Sequence, residues 1–373
     1  MRVGIVIPYS WSFWGAVVEH TESQAEALSA KGIEVVRIMG LDPPGQFSRA
    51  LHPRMGRVGD PPSDVMPIGR SVIVPANDSL PNIILSPRTV FRMRRILREE
   101  KFDLLHLHEP ITPIPCVAAL ALSDLPMVGT FHAAGGLNWN RGARPAWGYL
   151  LDRLDRRLAV SQAAKESAER WYPGDYELVP NGTVLGPSPN ASDRLHQVVF
   201  GARHEKRKGL AVLLRAWPDI RRRTGLKLRL AGAEPMAVRL LISRLRMPDD
   251  GIEILGFLPQ EKLTEELSLA KASIAPAIGG ESFGMQLTRA FGCATPVVAS
   301  DIDGYREVMR PGVGLTVPPE DPQALADAVV DIISDEPRRV AMGEMAYKVA
   351  ASEYGWDALA TKLISIYESV LTG

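Results

Sequence analysis

Strand-length runs of aliphatic and β-branched residues alternate with amphipathic helical stretches twice over along this chain. No other feature constrains the fold as strongly, because strands separated by a crossover helix pair in parallel and not as a meander. In the first series Val3–Ile7, Glu34–Ile38, Leu104–His108, Met127–Phe131, Arg157–Val160 and Tyr176–Val179 predict strands, with helices over Val17–Ala30 and Thr89–Glu100. In the second, strands are expected over Gln197–Phe200, Lys227–Ala231, Gly251–Leu255, Ala272–Ala275 and Thr295–Ala299, with helices over Leu210–Arg223, Met236–Leu245, Phe283–Phe291 and Pro322–Ile333. Leu41–Ser71, rich in Pro, Gly and Arg and without periodicity, reads as a long surface loop. Asn181-Gly182 followed by Gly186-Pro187-Ser188-Pro189-Asn190 marks a turn running into a linker. The expectation is an α/β chain of two doubly wound parallel-sheet domains, residues 1–186 and 187–355. An amphipathic segment at about 356–373 is able to pack in either domain. A length of 373 residues agrees, since single cores give way to several domains beyond about 250–300 residues. Ligand sites in such sheets lie outside the carboxyl ends of the strands, so a ligand shared across an interdomain cleft is expected.

Charge excludes some partners. Lys plus Arg number 43, as do Asp plus Glu, so no overall field draws the protein to nucleic acid or an anionic membrane. One local exception is the basic amphipathic run Phe91-Arg92-Met93-Arg94-Arg95-Ile96-Leu97-Arg98, which reads either as a solvated helix face or as a peripheral membrane contact. Cys116 and Cys293 sit far apart in apolar runs, as reduced buried thiols do. The apolar run Val3–Ile7 meets Pro8 at once and is too short for a signal or a span, so a cytoplasmic enzyme is expected, at most at the inner face of the membrane.

Several residues at expected carboxyl strand ends can carry chemistry. Gly15-Ala16 opens the first helix, where free N–H groups and the helix dipole favour an anion; a plain helix start with a packing glycine is the other reading. His132 follows the strand Met127–Phe131 and is placed to hydrogen-bond a sugar hydroxyl or accept a proton. His106 and His108 share a sheet face; with no carboxylate or cysteine at ligand spacing, they read as residues shaping the cleft and no metal site is expected. After Phe200 the loop Gly201-Ala202-Arg203-His204-Glu205-Lys206-Arg207-Lys208-Gly209 gathers cations before a helix, an arrangement suited to a diphosphate. Glu281, within Gly279-Gly280-Glu281-Ser282-Phe283-Gly284-Met285, places an acceptor beside backbone free to approach a ligand closely.

The order and spacing of these segments resemble the retaining glycosyltransferases of family 4, which have the GT-B fold of two Rossmann-like domains, and among them the actinobacterial phosphatidylinositol mannosyltransferases. The likeness runs through Met1–Ser10, His106–Pro110, Thr130–His132, Arg157–Ser161, Pro180–Gly182, Arg207–Gly209, Gly279–Gly284, Val297–Asp301 and Tyr354–Trp356. It implies a nucleoside diphosphate sugar as donor, no metal or other cofactor, and a small-molecule or lipid-linked acceptor. It assigns His132 to the sugar, Lys208 to the diphosphate and Glu281 to sugar hydroxyls. Gly15, Ala16, Arg203, Ser282, Phe283, Gly284, Met285 and Arg289 fall to the donor, and Tyr9, His20 and His108 to the acceptor side. The chain departs from the family pattern at Ala16, at Ala202 and at Arg289, which stand in place of a glycine, an arginine and a glutamate; Thr183 replaces an aspartate after Asn-Gly. An arginine has no acceptor for ribose hydroxyls. These departures imply altered donor recognition with retained transfer chemistry. The alternatives are transfer of a nucleotide-activated cyclitol or similar unit by a pseudo-glycosyltransferase, and a silent homologue acting as a binding protein. Leu137–Trp147, apolar and tryptophan-bearing, is expected to shape the acceptor side with Leu41–Ser71.

Overall fold

A computed structural model describes residues 1–43, 56–57, 59–74, 82–112, 114–132, 144–187 and 193–373, with the backbone alone at 144–147. The chain divides into two compact units, Met1–Gly182 together with Trp356–Gly373, and Thr183–Gly355.

In the first unit the elements run β1 (Arg2–Ser10), α1 (Ala16–Ala30), β2 (Glu34–Gly40), β3 (Val65–Gly69), β4 (Val72–Ile73), β5 (Asn82–Ile83), α2 (Arg88–Glu99), β6 (Leu104–His108), α3 (Pro115–Leu122), β7 (Met127–Phe131), α4 (Arg144–Leu151), β8 (Arg156–Ala159), α5 (Gln162–Trp171) and β9 (Glu177–Leu178). The sheet order is β3-β2-β1-β6-β7-β8-β9, with Val3 opposite both Val35 and Leu104 in parallel register. β1 is buried along nearly its whole length, as a strand covered on both faces must be. The chain leaves β1 first towards β2 and later returns to β6 on its other side, so a crevice opens where β1 and β6 end. Within the stretch expected to be all loop, Val65–Gly69 instead pairs with β2, Arg37 opposite Val65. Pro67 disguised this strand; at a sheet edge its missing N–H is tolerated. Residues 44–55 and 58 of that stretch lie outside the described residues.

The second unit repeats the plan: β10 (Gln197–Gly201), α6 (Leu210–Thr224), β11 (Lys227–Ala231), α7 (Pro235–Leu245), β12 (Ile252–Gly256), α8 (Gln260–Leu269), β13 (Ala272–Ala275), α9 (Met285–Phe291), β14 (Val297–Ser300), α10 (Asp303–Arg306), β15 (Gly314–Val317), α11 (Pro322–Ser334) and α12 (Glu336–Val349). The order is β12-β11-β10-β13-β14-β15, all parallel, and its switch point lies between β10 and β13. Gly209 ends the cationic loop with φ +71°, and a Cβ there would sit 1.7 Å from the Pro276 carbonyl oxygen, so only glycine fits. α9 begins at Met285 and not at Phe283, because Gly284 takes a left-handed cap at φ +79°. Phe283 is held before the helix with its ring in the core.

The last helix, α13 (Trp356–Thr372), packs in the first unit. Leu359, Ala360, Leu363, Ile366 and Tyr367 form its buried stripe and join Val3, Val18, Ala25 and Leu28. Each fully buried apolar side chain contributes about 1.5–3 kcal/mol, so this helix supplies a substantial share of that core. No helix among the described residues is long and apolar enough to cross a membrane.

Candidate active site

In the second unit two loops meet where β10 and β13 end. The Ile278 N–H donates to the Arg207 carbonyl oxygen at 2.8 Å, tying the cationic loop to the glycine-rich one. Glu281 receives Lys208 Nζ at 2.7 Å on Oε1 and 2.9 Å on Oε2, and Arg207 Nη1 at 2.5 Å. Arg207 also donates to the Gly280 carbonyl oxygen and pairs with Glu205 at 2.8 Å, which in turn holds Arg203 at 2.9 Å. The Glu281 side chain is 7% exposed and that of Lys208 14%, against 50% for Arg203. Burial holds the Lys208 ammonium below the ordinary lysine value, and Glu281 partly offsets this. With three cations against two carboxylates, the cluster keeps a positive excess that an anionic ligand can neutralise.

Backbone geometry explains why these loops are glycine-rich. A Cβ on Gly304 would lie 2.1 Å from the Glu281 carbonyl oxygen, so α10 presses directly on the residue that gathers the cations. Gly280 and Gly284 both have positive φ, at +69° and +79°. Ser282 and Met285 are half-exposed just before and at the start of α9, beside N–H groups that an anion can reach. Arg289, farther along α9, lines a small recess with Thr183, Val184, Gln260, Leu263, Thr264 and Leu267. Ala202 is buried, its backbone against Gly232.

In the first unit a largely buried histidine cluster lies at the β1–β6 switch point. His20 comes from the second turn of α1, His108 from the end of β6, and His132 from the residue after β7. His108 Nδ1 and His132 Nε2 lie 2.8 Å apart. The His20 ring meets those of His132 and His108 edge-on at 5.0 and 5.5 Å. The His132 main-chain N–H donates to Glu109 Oε1 at 3.0 Å, and its ring is hydrogen-bonded by Asn181. Burial, reinforced for His20, His106 and His108 by their imidazole neighbours, lowers every one of these pKa values; His132 falls to about 4 and His106 to about 3. All four are therefore neutral near pH 7, and each ring offers one donor and one acceptor.

His106 does not shape a cleft. It is buried, with Nδ1 2.6 Å from the Tyr367 hydroxyl and Nε2 2.7 Å from Thr130 Oγ1. Tyr9 is half-buried near the end of β1, and its hydroxyl is pushed well above the ordinary phenol value by burial and the charge of Glu109. Gly15 is extended, and an added Cβ would meet nothing within 4 Å, which removes packing as its reason; Ala16 beside it is exposed.

The family model "Glycosyltransferase Family 4" matches residues 17–186, and "Glycosyl transferases group 1" matches residues 187–349. Over its whole length the chain is 33% identical to a phosphatidyl-myo-inositol mannosyltransferase of Mycobacterium leprae, of which it covers 98%. The chain belongs to glycosyltransferase family 4. This glycosyltransferase is also 31% identical to a phosphatidyl-myo-inositol mannosyltransferase of Propionibacterium freudenreichii, over 98% of its own length and 94% of that protein. Among solved structures it is similar to the sucrose-phosphate synthase of Thermosynechococcus elongatus, with a TM-score of 0.75 at 18% identity over 100% of this chain and 99% of that one. It is also similar to Anabaena HepE in complex with UDP, with a TM-score of 0.71 at 17% identity over 99% and 100%. The glycosyltransferase thus has the GT-B fold, two Rossmann-like units each with a switch-point crevice.

Of the residues singled out from the sequence, Arg203, Lys208 and Glu281 share one ionic network, and His20, His108 and His132 share one cluster. Glu205, Glu109, Asn181, Gly304 and Tyr367 were given no site role from the sequence. Only Asn181 carried a local signal, its place at a strand-end turn; the others act through neighbours remote in sequence. Leu137–Trp147 falls outside the described residues except for the backbone of 144–147.

Proposed function

We propose that this glycosyltransferase moves a sugar from a nucleoside diphosphate to an acceptor hydroxyl with retained configuration and without a metal. The observation that carries this reading is the pair Lys208–Glu281, backed by Arg207, at the β10–β13 switch point. As the bond from the anomeric carbon to the phosphate oxygen breaks, negative charge grows on the leaving diphosphate. Lys208 and Arg207 meet that charge, so they act mostly in the transition state. Glu281 then exchanges one cation contact for sugar hydroxyl donors. The acceptor oxygen bonds the anomeric carbon on the face the phosphate leaves, and its proton passes to the departing phosphate oxygen. His132, a neutral imidazole, accepts from or donates to a sugar hydroxyl and carries no charge of its own.

Donor recognition is altered in this reading. Ala202 offers no charge, and Arg289 offers only donors, which favours a donor with an anionic group near the ribose. The similarity to phosphatidyl-myo-inositol mannosyltransferases supports a lipid-linked acceptor. α2 fits such an acceptor: Phe91 is 76% exposed among the exposed Arg92, Arg94, Arg95 and Arg98, while Met93 and Ile96 face the core. A basic helix with an exposed aromatic suits the surface of an anionic bilayer. The deciding experiment is a thermal-shift panel of guanosine, uridine, adenosine and thymidine diphosphates. One base should raise the melting temperature selectively, because binding stabilises the native state by about 2.7 kcal/mol at a hundredfold excess over Kd. A flat response across the panel would sink the proposal.

A further inference from the structure

We propose that His20, His108 and His132 bind one borderline transition-metal ion of the Zn2+ kind, and that its occupation blocks transfer. Each residue offers one ligand atom, and these atoms all lie within 4.8 Å of one another. They come from three rigid places, the second turn of α1, the end of β6 and the residue after β7, so the backbone already brings them together. A tetrahedral ion holds imidazole nitrogens at about 2.0–2.1 Å, which sets them roughly 3.4 Å apart. The widest separation must therefore close by somewhat over 1 Å, and the 2.8 Å contact between His108 and His132 must open slightly.

Two further observations point to a ligand. His20 Nδ1 is buried with no hydrogen-bond partner, and unpaired buried polar atoms are uncommon in native proteins. The surroundings also hold the cluster in place and bring negative charge near it. His106 stacks on His108 at 4.5 Å and is itself fixed by Tyr367 and Thr130, while the Glu109 carboxylate, bound to the His132 main-chain N–H, brings negative charge close by. Neutral imidazole is the ligand form for zinc, copper, nickel and cobalt. Three histidines leave the fourth position to water. The site has no sequence signature, because its ligands stand 88 and 24 residues apart in the chain.

Metal binding stands independently of the transfer reading; the block rests on it, since the metal would occupy the His132 lone pair assigned to the sugar. The metal is then an inhibitor, in keeping with metal-free transfer.

The test titrates the chelator-treated full chain with Co2+ and follows the visible ligand-field bands of a tetrahedral site. One equivalent per chain, displaced by Zn2+, is expected. His20→Ala and His132→Ala should each weaken binding by more than about tenfold, while His196→Ala and His204→Ala, both at exposed positions, should leave it unchanged. No band, more than one equivalent, or undiminished affinity in both cluster variants would overturn the site. Melting curves of each variant report folding; if an alanine variant does not fold, His20→Gln and the wild-type stoichiometry decide. A chelator-reversible loss of transfer with Zn2+ is expected. Cobalt binding without that loss would overturn the block while leaving the site intact.

Discussion

The two units share one strand plan around one kind of switch point, yet they hold their chemical groups by opposite means. In the second unit, charges are balanced against charges: Arg203, Glu205, Arg207, Glu281 and Lys208 form a continuous ionic chain. In the first, burial keeps the imidazoles neutral and hydrogen bonds arrange them. The difference suits the expected division of labour. A departing diphosphate is best met by charge fixed beforehand, whereas a sugar or acceptor hydroxyl is best met by groups that both donate and accept without charge.

The contrast can be broken most directly at Lys208. Lys208→Ala should lower kcat roughly 10²–10³-fold, the scale of losing one preorganised transition-state donor, measured by nucleoside diphosphate release at saturating donor. A loss below tenfold would mean the ionic chain is merely structural. Because burial lowers the Lys208 value, its charge is lost as pH rises at a lower pH than for a free lysine. The alkaline fall of kcat should therefore lie below the ordinary lysine range, and Lys208→Arg should move it upward, since guanidinium stays protonated.

Stability comes next. Gly209→Ala should destabilise by about 3 kcal/mol or more in urea denaturation, given the clash with Pro276 and a positive φ. Gly15→Ala, at an extended position with open space, should change stability by less than about 0.5 kcal/mol. Equal effects at the two glycines would refute the view that the loop before α6 is sterically closed while the one before α1 is open. An effect between those two is expected at Tyr367→Phe, which removes the hydroxyl near His106 and Gln24 and should cost about 1–2 kcal/mol. A neutral outcome in thermal melting would show that the imidazole cluster does not depend on the last helix.

How much of this was legible follows from how far each feature reaches along the chain. The repeated strand and helix alternation is local, so the central strands of both sheets could be read with small boundary errors, while β4, β5 and β15 (Gly314–Val317), short strands away from the sheet centres, were not expected. Lys208 and Glu281 stood out because each flanks glycines just past a strand, and the doubly wound plan brings such loops together. β3 was hidden by Pro67. The place of α13 could not be read, since an apolar stripe names no partner. Likewise nothing near His20 indicates that α1 delivers it to His108 and His132, because that meeting depends on helix placement across the sheet. The helix start at Met285 was missed for a subtler reason: Ser-Phe-Gly continues the apolar periodicity, and only the left-handed Gly284 interrupts it.

That α13 completes the first unit has a consequence for biosynthesis. Domains emerging from the ribosome usually fold in the order they are made, at about 5–20 residues per second. Here the leading unit lacks Leu359, Leu363, Ile366 and Tyr367 until translation has passed through the whole of Thr183–Gly355. The later-made unit can mature first, while the earlier one waits with an open seam along α1.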